Sequence, residues 1–331
     1  MTRTTTASDD AVVVRAAAVL GLVWLGDALI YVVLPLHAAA FGISLGMVGV
    51  ALSLNRIVRI VGYGWVAFLH RRLGLRALTA SAAFGAALST VGYGLALGLV
   101  PLLIARLVWR FAYGVLNVTT TAYAIGDGRG TGRRVGLNRA VGTVGPALAL
   151  SVGAWLAVVL GPREVFLVLG VVGLVAVPLA LTLPREVAAA SEPGRAATTR
   201  WRPSTLNVLF FTVSAVDGAF GILVGIAHGI IYPGAVAVVI ARAFLSNVGP
   251  VLATQERSGS TVERLAAFAT WVDSGLAVGP LIGGFVVARL GLPLLYDALA
   301  VCIVGALVVH RLASGGPVYA IRGIDTPRGG S

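Results

Sequence analysis

The feature that most constrains this chain is an aspartate inside an apolar segment of membrane length. Residues 21–36 read GLVWLGDALIYVVLPL, and Asp27 carries the one charge among them. A carboxylate at the centre of a membrane-spanning helix costs roughly 3 kcal/mol on insertion scales. Asp27 therefore predicts compensating partners elsewhere in the chain, within a helix bundle or a water-filled cavity rather than in lipid.

Composition indicates a helical membrane protein. The 331 residues are 58% hydrophobic and 11% charged, and apolar runs long enough to cross a bilayer as helices recur along the chain. The formal net charge of +12 comes from arginine, because the sequence contains no lysine. Nucleic-acid binding is one interpretation of such a charge, but these arginines lie in short loops between apolar runs, as the positive-inside rule predicts. We therefore expect the lipid bilayer, and no nucleic acid, as a partner.

The spacing of the apolar runs predicts about ten transmembrane helices. The predicted spans cover residues 12–36, 45–68, 77–97, 100–124, 137–160, 165–183, 205–230, 232–253, 264–288 and 292–310. Alternate loops carry most of the arginines, whereas the loops between them carry only Arg163 and Arg289. This asymmetry places both termini in the cytoplasm. The lysine-free, arginine-rich usage is typical of a GC-rich bacterial genome, so we expect a location in the bacterial inner membrane.

Two parts of the sequence repeat. ARLVW at 105–109 recurs as ARAFL at 241–245, and VGPALAL at 144–150 recurs as VGPLIGG at 278–284. Asp217 takes the place of Asp27 in the second copy, but it lies 25 residues before Arg242, whereas Asp27 lies 79 residues before Arg106. The difference of 54 residues corresponds to two spans at ~20 residues each with their loops. The repeat thus predicts a 6 + 4 arrangement in which the second half lacks two helices.

The predicted domains follow from this arrangement. They are a cytoplasmic N-terminal tail (1–11), a six-helix bundle (12–184), a cytoplasmic linker (185–203), a four-helix half (204–312) and a disordered C-terminal tail (313–331).

Two pseudo-repeated halves with a central linker resemble the major facilitator superfamily. Arg106 matches the arginine of the family's Arg-x-x-Gln-Gly motif, and RRLGLR at 71–76 matches its Asp-Arg-x-Gly-Arg loop, with Arg71 in the aspartate position. The family's Gly-Pro motif is present in the fifth span and again in the ninth. The resemblance implies gating or helix-packing roles for Arg72, Gly74, Arg76, Gly145, Pro146, Gly279 and Pro280. For the two Gly-Pro pairs, kinks and close helix packing are favoured over direct ligand contact.

The charged residues inside the predicted spans are candidates for substrate binding or proton coupling. These candidates are Asp27, Arg56, Arg59, Arg106, Arg110, Asp217 and Arg242. Arg106 and Arg110 are four residues apart, so they share one helix face, and we expect Arg56 or Arg106 to restrain Asp27. The surplus of arginine leaves positive charge that an anionic substrate or a carboxylate could neutralise. The alternative is that these charges are static pairs that lock the bundle.

The resemblance implies alternating access and a small-molecule cargo, a metabolite or drug, in a secondary active transporter. The predicted activity is proton-coupled efflux, with protons as the second partner. One rival is a shortened relic without transport activity or a structural membrane protein. The other, an intramembrane enzyme, is poorly supported, because the chain has no HExxH motif and no catalytic pair of carboxylates on one helix. No catalytic residue, metal or cofactor is therefore expected. Asn117 and Thr119–Thr121 are interpreted as helix–helix contacts, with cavity-lining groups as the alternative.

Overall fold

The described part of the chain is built from helices. The computed structural model describes residues 4–44, 47–48, 55–126, 130–186, 205–226, 247–254, 260–290 and most of 301–312. Its helices are α1 (Thr4–Leu36), α2 (Asn55–Leu95), α3 (Leu99–Ile125), α4 (Thr131–Leu160), α5 (Glu164–Leu174), α6 (Ala176–Leu181), α7 (Thr205–Ile226) and α8 (Thr261–Leu290), with a 3-10 turn at Ala38–Phe41. No strand is present in these ranges, which confirms the all-helical class.

Several of these helices can cross a bilayer, which confirms a multi-pass membrane protein. Four segments within the described residues have the required length and apolar composition: Asp9–Leu36, Ile60–Leu95, Leu99–Ile125 and Glu164–Leu181. A count of about ten spans is consistent with the fold. The division into six and four helices stays a prediction, because residues 227–246 and 291–300 lie outside the described residues.

Helix α2 contains two of the predicted spans, joined by a single break at Gly74. This glycine has φ 74° and ψ 167°, a backbone conformation that side chains with a Cβ rarely adopt. The first arm, 55–73, and the second arm, 75–95, therefore correspond to predicted spans 2 and 3. The loop predicted between these spans is replaced by the break at Gly74. The reverse holds for helices α5 and α6, which together form one predicted span (165–183) that is interrupted at Val175.

The helix ends define two sides of the bundle. At the side that we call the charged end, Arg71 beside the Gly74 break pairs with Glu263 at the start of α8, and Arg133 on α4 pairs with Asp10 on α1. At the opposite side, the Gly98 end, the N–H of Gly98 donates to the carbonyl of Phe41 at 2.8 Å. Helices α1, α4, α7 and α8 all begin at the charged end.

The Gly-Pro motifs lie where parallel helices cross most closely. A Cβ added to Gly145 on α4 would lie 1.8 Å from the carbonyl oxygen of Gly21 on α1. A Cβ on Gly279 of α8 would lie 2.0 Å from the carbonyl oxygen of Ala215 on α7. Both distances are impossible for a real side chain, so the two copies of the motif bring equivalent helix pairs into backbone contact.

We predict that Gly145→Ala destabilises the protein, because the new methyl group meets backbone rather than a flexible side chain. Overpacking costs ~1–3 kcal/mol, and more where backbone has to move. Gly136→Ala is the matched control on the same helix, since a Cβ there meets nothing within 4 Å and alanine favours a helix. Thermal unfolding of the purified proteins in detergent should show a lowered melting temperature for Gly145→Ala alone. Equal melting temperatures would contradict the close crossing of α1 and α4.

Candidate functional site

The carboxylate of Asp27 lies in a buried cluster formed by α1, the second arm of α2 and α3. Asp27 is 1% exposed, Arg106 2% and Arg110 6%. Nη1 of Arg106 donates to Oδ1 of Asp27 at 3.0 Å, and Nη2 of Arg110 lies 3.2 Å from Oδ2. The hydroxyl of Tyr93, on α2, donates to Oδ1 at 3.2 Å. One carboxylate thus faces two guanidinium groups and one phenol.

Helical spacing brings these groups together. Asp27 and Tyr31 are four residues apart on α1, and Arg106 and Arg110 are four apart on α3, so two polar faces meet. The hydroxyl of Tyr31 accepts a hydrogen bond from Nη2 of Arg106 at 3.1 Å and another from Nη2 of Arg110. Tyr31 is 39% exposed, so it covers the arginines from the more open side of the cluster.

Aromatic rings supply further contacts to the buried cations. The guanidinium of Arg106 lies 5.0 Å from the ring centre of Tyr31, and that of Arg110 lies 4.8 Å from the ring of Trp109. Trp109 stacks on Tyr113 with ring centres 5.1 Å apart. Cation–π contacts strengthen when the cation is desolvated, so these rings offset part of the burial cost.

The cluster carries more positive than negative charge. Ionised Asp27 neutralises one of the two arginines, which leaves a net charge of about +1 in a buried setting. Burying an unbalanced charge is expensive unless a counter-ion compensates for it. The arrangement is therefore suited to binding one anionic group beside Arg106 and Arg110.

Sequence spacing predicts part of this cluster and misses the rest. The structure brings Asp27 together with Arg106, one of the two partners that the sequence favours, and also with Arg110, whose contact with Asp27 is not predicted. No pattern in the sequence distinguishes Tyr93 or Trp109 from packing aromatics. The position of Tyr31, one helical turn after Asp27, is the one signal that could have indicated its role. The backbones of Arg56, Arg59 and Asp217 lie on α2 and α7, and their side chains, like all of Arg242, lie outside the described residues.

The predicted gating loop contacts α8. Nη1 of Arg71 lies 2.6 Å from Oε1 of Glu263. Glu263 also accepts a hydrogen bond from the backbone N–H of Ser260 at 3.1 Å, while its own N–H donates to the Ser260 hydroxyl at 3.2 Å, so these residues form a capping box. Arg71 occupies the family's aspartate position, so here the loop contributes a cation and α8 the carboxylate.

Two other predicted gating residues contact their own helix and the segment after α6. The guanidinium of Arg72 lies 5.1 Å from the ring centre of Phe68, and the N–H of Arg76 donates to the carbonyl of Arg185 at 3.4 Å. The side chain of Pro280 lies outside the described residues.

A second contact joins the same two helices at greater depth. The hydroxyl of Tyr63, on the first arm of α2, donates to Oδ2 of Asp273 on α8 at 2.8 Å, and both residues are buried. Tyr63 is eight residues from Arg71, or ~12 Å along the helix. The two halves of the chain are therefore held together at the charged end at two levels.

Among the described residues, no three His, Cys, Asp or Glu side chains are grouped to hold a metal ion. The site consists of arginine, aspartate and tyrosine, a set suited to anions and protons.

Comparison with known proteins identifies the fold and the family. The family model described as "Major Facilitator Superfamily" matches residues 16–309. A crystal structure of the E. coli fucose:proton symporter FucP is similar, with a TM-score of 0.69 and 13% identity over 91% of this chain and 98% of that one. A second FucP structure, in the outward conformation, gives a TM-score of 0.62 and 12% identity over the same shares. At these identities the likeness concerns the fold alone, and no curated protein matches significantly.

We predict that Asp27→Asn destabilises the protein more than Arg106→Gln does. Asparagine leaves two buried cations without a counter-charge, a loss of ~3–5 kcal/mol for a broken buried pair. Arg106→Gln leaves the neutral pair of Asp27 and Arg110. Melting temperatures in detergent rank the stabilities of the two variants, with Asp10→Asn at the charged end as the control. Greater destabilisation by Arg106→Gln would contradict the charge balance described above.

Proposed function

Because the chain belongs to the major facilitator superfamily, we propose that it is a secondary active transporter that couples protons to the movement of a small organic anion. The observation that carries this proposal is the placement of two buried arginines around a single buried carboxylate. Static ion pairs need no surplus cation, whereas an anion-binding site does. Asp27 is the proposed proton site, and Arg106 and Arg110 are the proposed substrate contacts.

Proton and anion binding would support each other at this site. With Asp27 ionised, the carboxylate competes with a substrate anion for the same guanidinium groups. Protonation of Asp27 removes that competition and raises the local positive charge. By linkage, an anion that binds better to the protonated form also promotes protonation.

This reciprocity favours co-transport of proton and anion. Efflux by exchange, the direction predicted from the sequence, requires instead that substrate and proton compete for Asp27. A cationic cargo would meet that requirement, but Arg106 and Arg110 would repel it. We therefore propose symport of a proton and an anion, and efflux stays the alternative.

Alternating access would require the charged end to open. The contacts of Arg71 with Glu263 and of Tyr63 with Asp273 bridge the two halves there, so both must break when the halves rock apart. The arginines around the Gly74 break and at the start of α4 support a cytoplasmic orientation of this end, with both termini inside. We propose the bacterial inner membrane as the location and six and four helices as the division of the halves.

A non-transporting relic is the second candidate. The predicted 6 + 4 arrangement favours it, because a second half without two of its helices would have a weaker wall around a central cavity. Transport experiments separate the two candidates directly.

We predict that reconstituted wild-type protein accumulates an anionic substrate in response to an imposed proton gradient, and that Asp27→Asn lowers this accumulation at least about fivefold, the low end of ordinary coupling energies. A panel of labelled metabolites and drugs of each charge class in proteoliposomes provides the measurement. Asp10→Asn, which removes a carboxylate at the charged end, should retain wild-type flux. The absence of proton-driven flux for every compound, despite correct folding, would favour the relic.

We predict that tethering the charged end stops transport. In a Cys302→Ser background, Arg71→Cys and Glu263→Cys should be joined by a bis-methanethiosulfonate, whose spacer replaces the two long side chains and is held by two reducible disulfide bonds. Flux should disappear on cross-linking and return after reduction. Each single cysteine variant, treated identically, is the control, and undiminished flux in the fully cross-linked protein would contradict opening at this end.

A further inference from the structure

A second polar site lies between the two halves, closer to the charged end than Asp27. It is a small cleft whose walls belong to α3 and α4 on one side and to α8 and the helical segment 247–254 on the other. The lining residues are Asn117, Val118, Thr121, Arg139, Pro250, Leu265, Phe268 and Ala269. Asn117 lies eight residues before the end of α3, and Arg139 eight residues after the start of α4, so both lie ~12 Å inside the charged end.

Arg139 brings an unneutralised positive charge to this cleft. Its Nη1 donates to Oδ1 of Asn117 at 3.1 Å, but no carboxylate of the described residues pairs with it. Its Nε is buried and has no hydrogen-bond partner in the part of the chain that the structure describes. A buried guanidinium donor without an acceptor is costly. The opposite wall is apolar, formed by Leu265 and Phe268, so the guanidinium is the dominant charge in the cleft.

Polar side chains on α3 connect this cleft with the Asp27 cluster. Arg106, Arg110, Tyr113, Asn117 and Thr121 follow one another at intervals of four, three, four and four residues, so they form one stripe along the helix. Arg110 and Asn117 are seven residues apart, or ~10 Å along the axis. An anion that leaves Arg106 and Arg110 toward the charged end would meet Arg139 next.

We propose that Arg139, with Asn117 and Thr121, forms a second anion site on the transport path, specific for a small soluble anion such as a carboxylate or sulfonate. The role of this site in a transport cycle rests on the proposed function, whereas its ability to attract an anion does not. The asparagine orients the guanidinium, and the apolar wall on the second half covers the site until the charged end opens.

Charge-selective cysteine modification tests the site without any transport assay. In a Cys302→Ser background, Thr121→Cys places a thiol in the cleft. Within the described residues the Thr121 hydroxyl donates to the carbonyl of Asn117 in its own helix, so the substitution breaks no contact between helices. The probes are the anionic sulfonatoethyl and the cationic trimethylammonioethyl methanethiosulfonates, applied to protein in zwitterionic nanodiscs. The measured quantity is the ratio of the anionic to the cationic modification rate.

We expect Arg139→Gln to lower this ratio about tenfold, as expected for loss of a nearby full charge at intermediate dielectric. Arg139→Lys should retain the ratio, because the charge persists although the bond geometry to Asn117 changes. Gly132→Cys, at the exposed start of α4, is the control position, and its ratio should be the same with Arg139 and with Gln.

Three results would overturn the proposal. An unchanged ratio in Arg139→Gln would show that the arginine does not select anions. Failure of both reagents to modify Thr121→Cys would show that solutes do not enter the cleft. Slowing of the anionic reagent at Thr121→Cys but not at Gly132→Cys when phosphatidylglycerol is added to the nanodiscs would assign the site to a lipid headgroup, because general repulsion by the anionic membrane slows both positions. A protein that shows the expected ratios but no flux would retain the anion site and lose the transporter proposal.

Discussion

The structure depends on one buried interaction, the contact of the Asp27 carboxylate with the guanidinium groups of Arg106 and Arg110. It joins α1 to α3, and the Tyr93 hydroxyl adds the second arm of α2. Each ion alone would carry a desolvation cost of several kcal/mol, and the carboxylate offsets part of the cost of burying the two guanidinium groups between the three helices. The match is incomplete by one positive charge, and this imbalance turns a structural ion pair into a candidate binding site.

The same imbalance recurs along the interface between the halves. Arg139 faces the apolar wall of the second half without a carboxylate partner among the described residues, whereas Arg71 at the rim is paired with Glu263. Glu263 is favoured at the first turn of α8, where the helix dipole stabilises negative charge. The charged end is therefore closed by paired charges. The cations without a matching carboxylate among the described residues lie deeper in the bundle, at Arg139 and in the Asp27 cluster.

The sequence predicts the helical class and the family because span length, loop arginines and the repeated Gly-Pro motif depend on local physical rules. It also predicts Arg56 or Arg106 as the partner of Asp27, because their similar depth in the membrane limits the choices, and it places Arg110 on the same helix face as Arg106. It does not predict the roles of Tyr31, Tyr93 or Arg139. Which aromatic side chain faces a charge depends on helix rotation, which evenly apolar helices do not encode. Arg139 lies near the start of a span and resembles an ordinary loop-flanking arginine.

The central claim, that Asp27 couples protons to an anion held by Arg106 and Arg110, is tested most directly by separating exchange from accumulation. Proteoliposomes loaded with unlabelled substrate report exchange without a proton gradient, and an imposed gradient reports accumulation. Asp27→Asn should retain exchange, because the arginines are still present, and should lose gradient-driven accumulation. Accumulation at the wild-type level in Asp27→Asn would contradict the account.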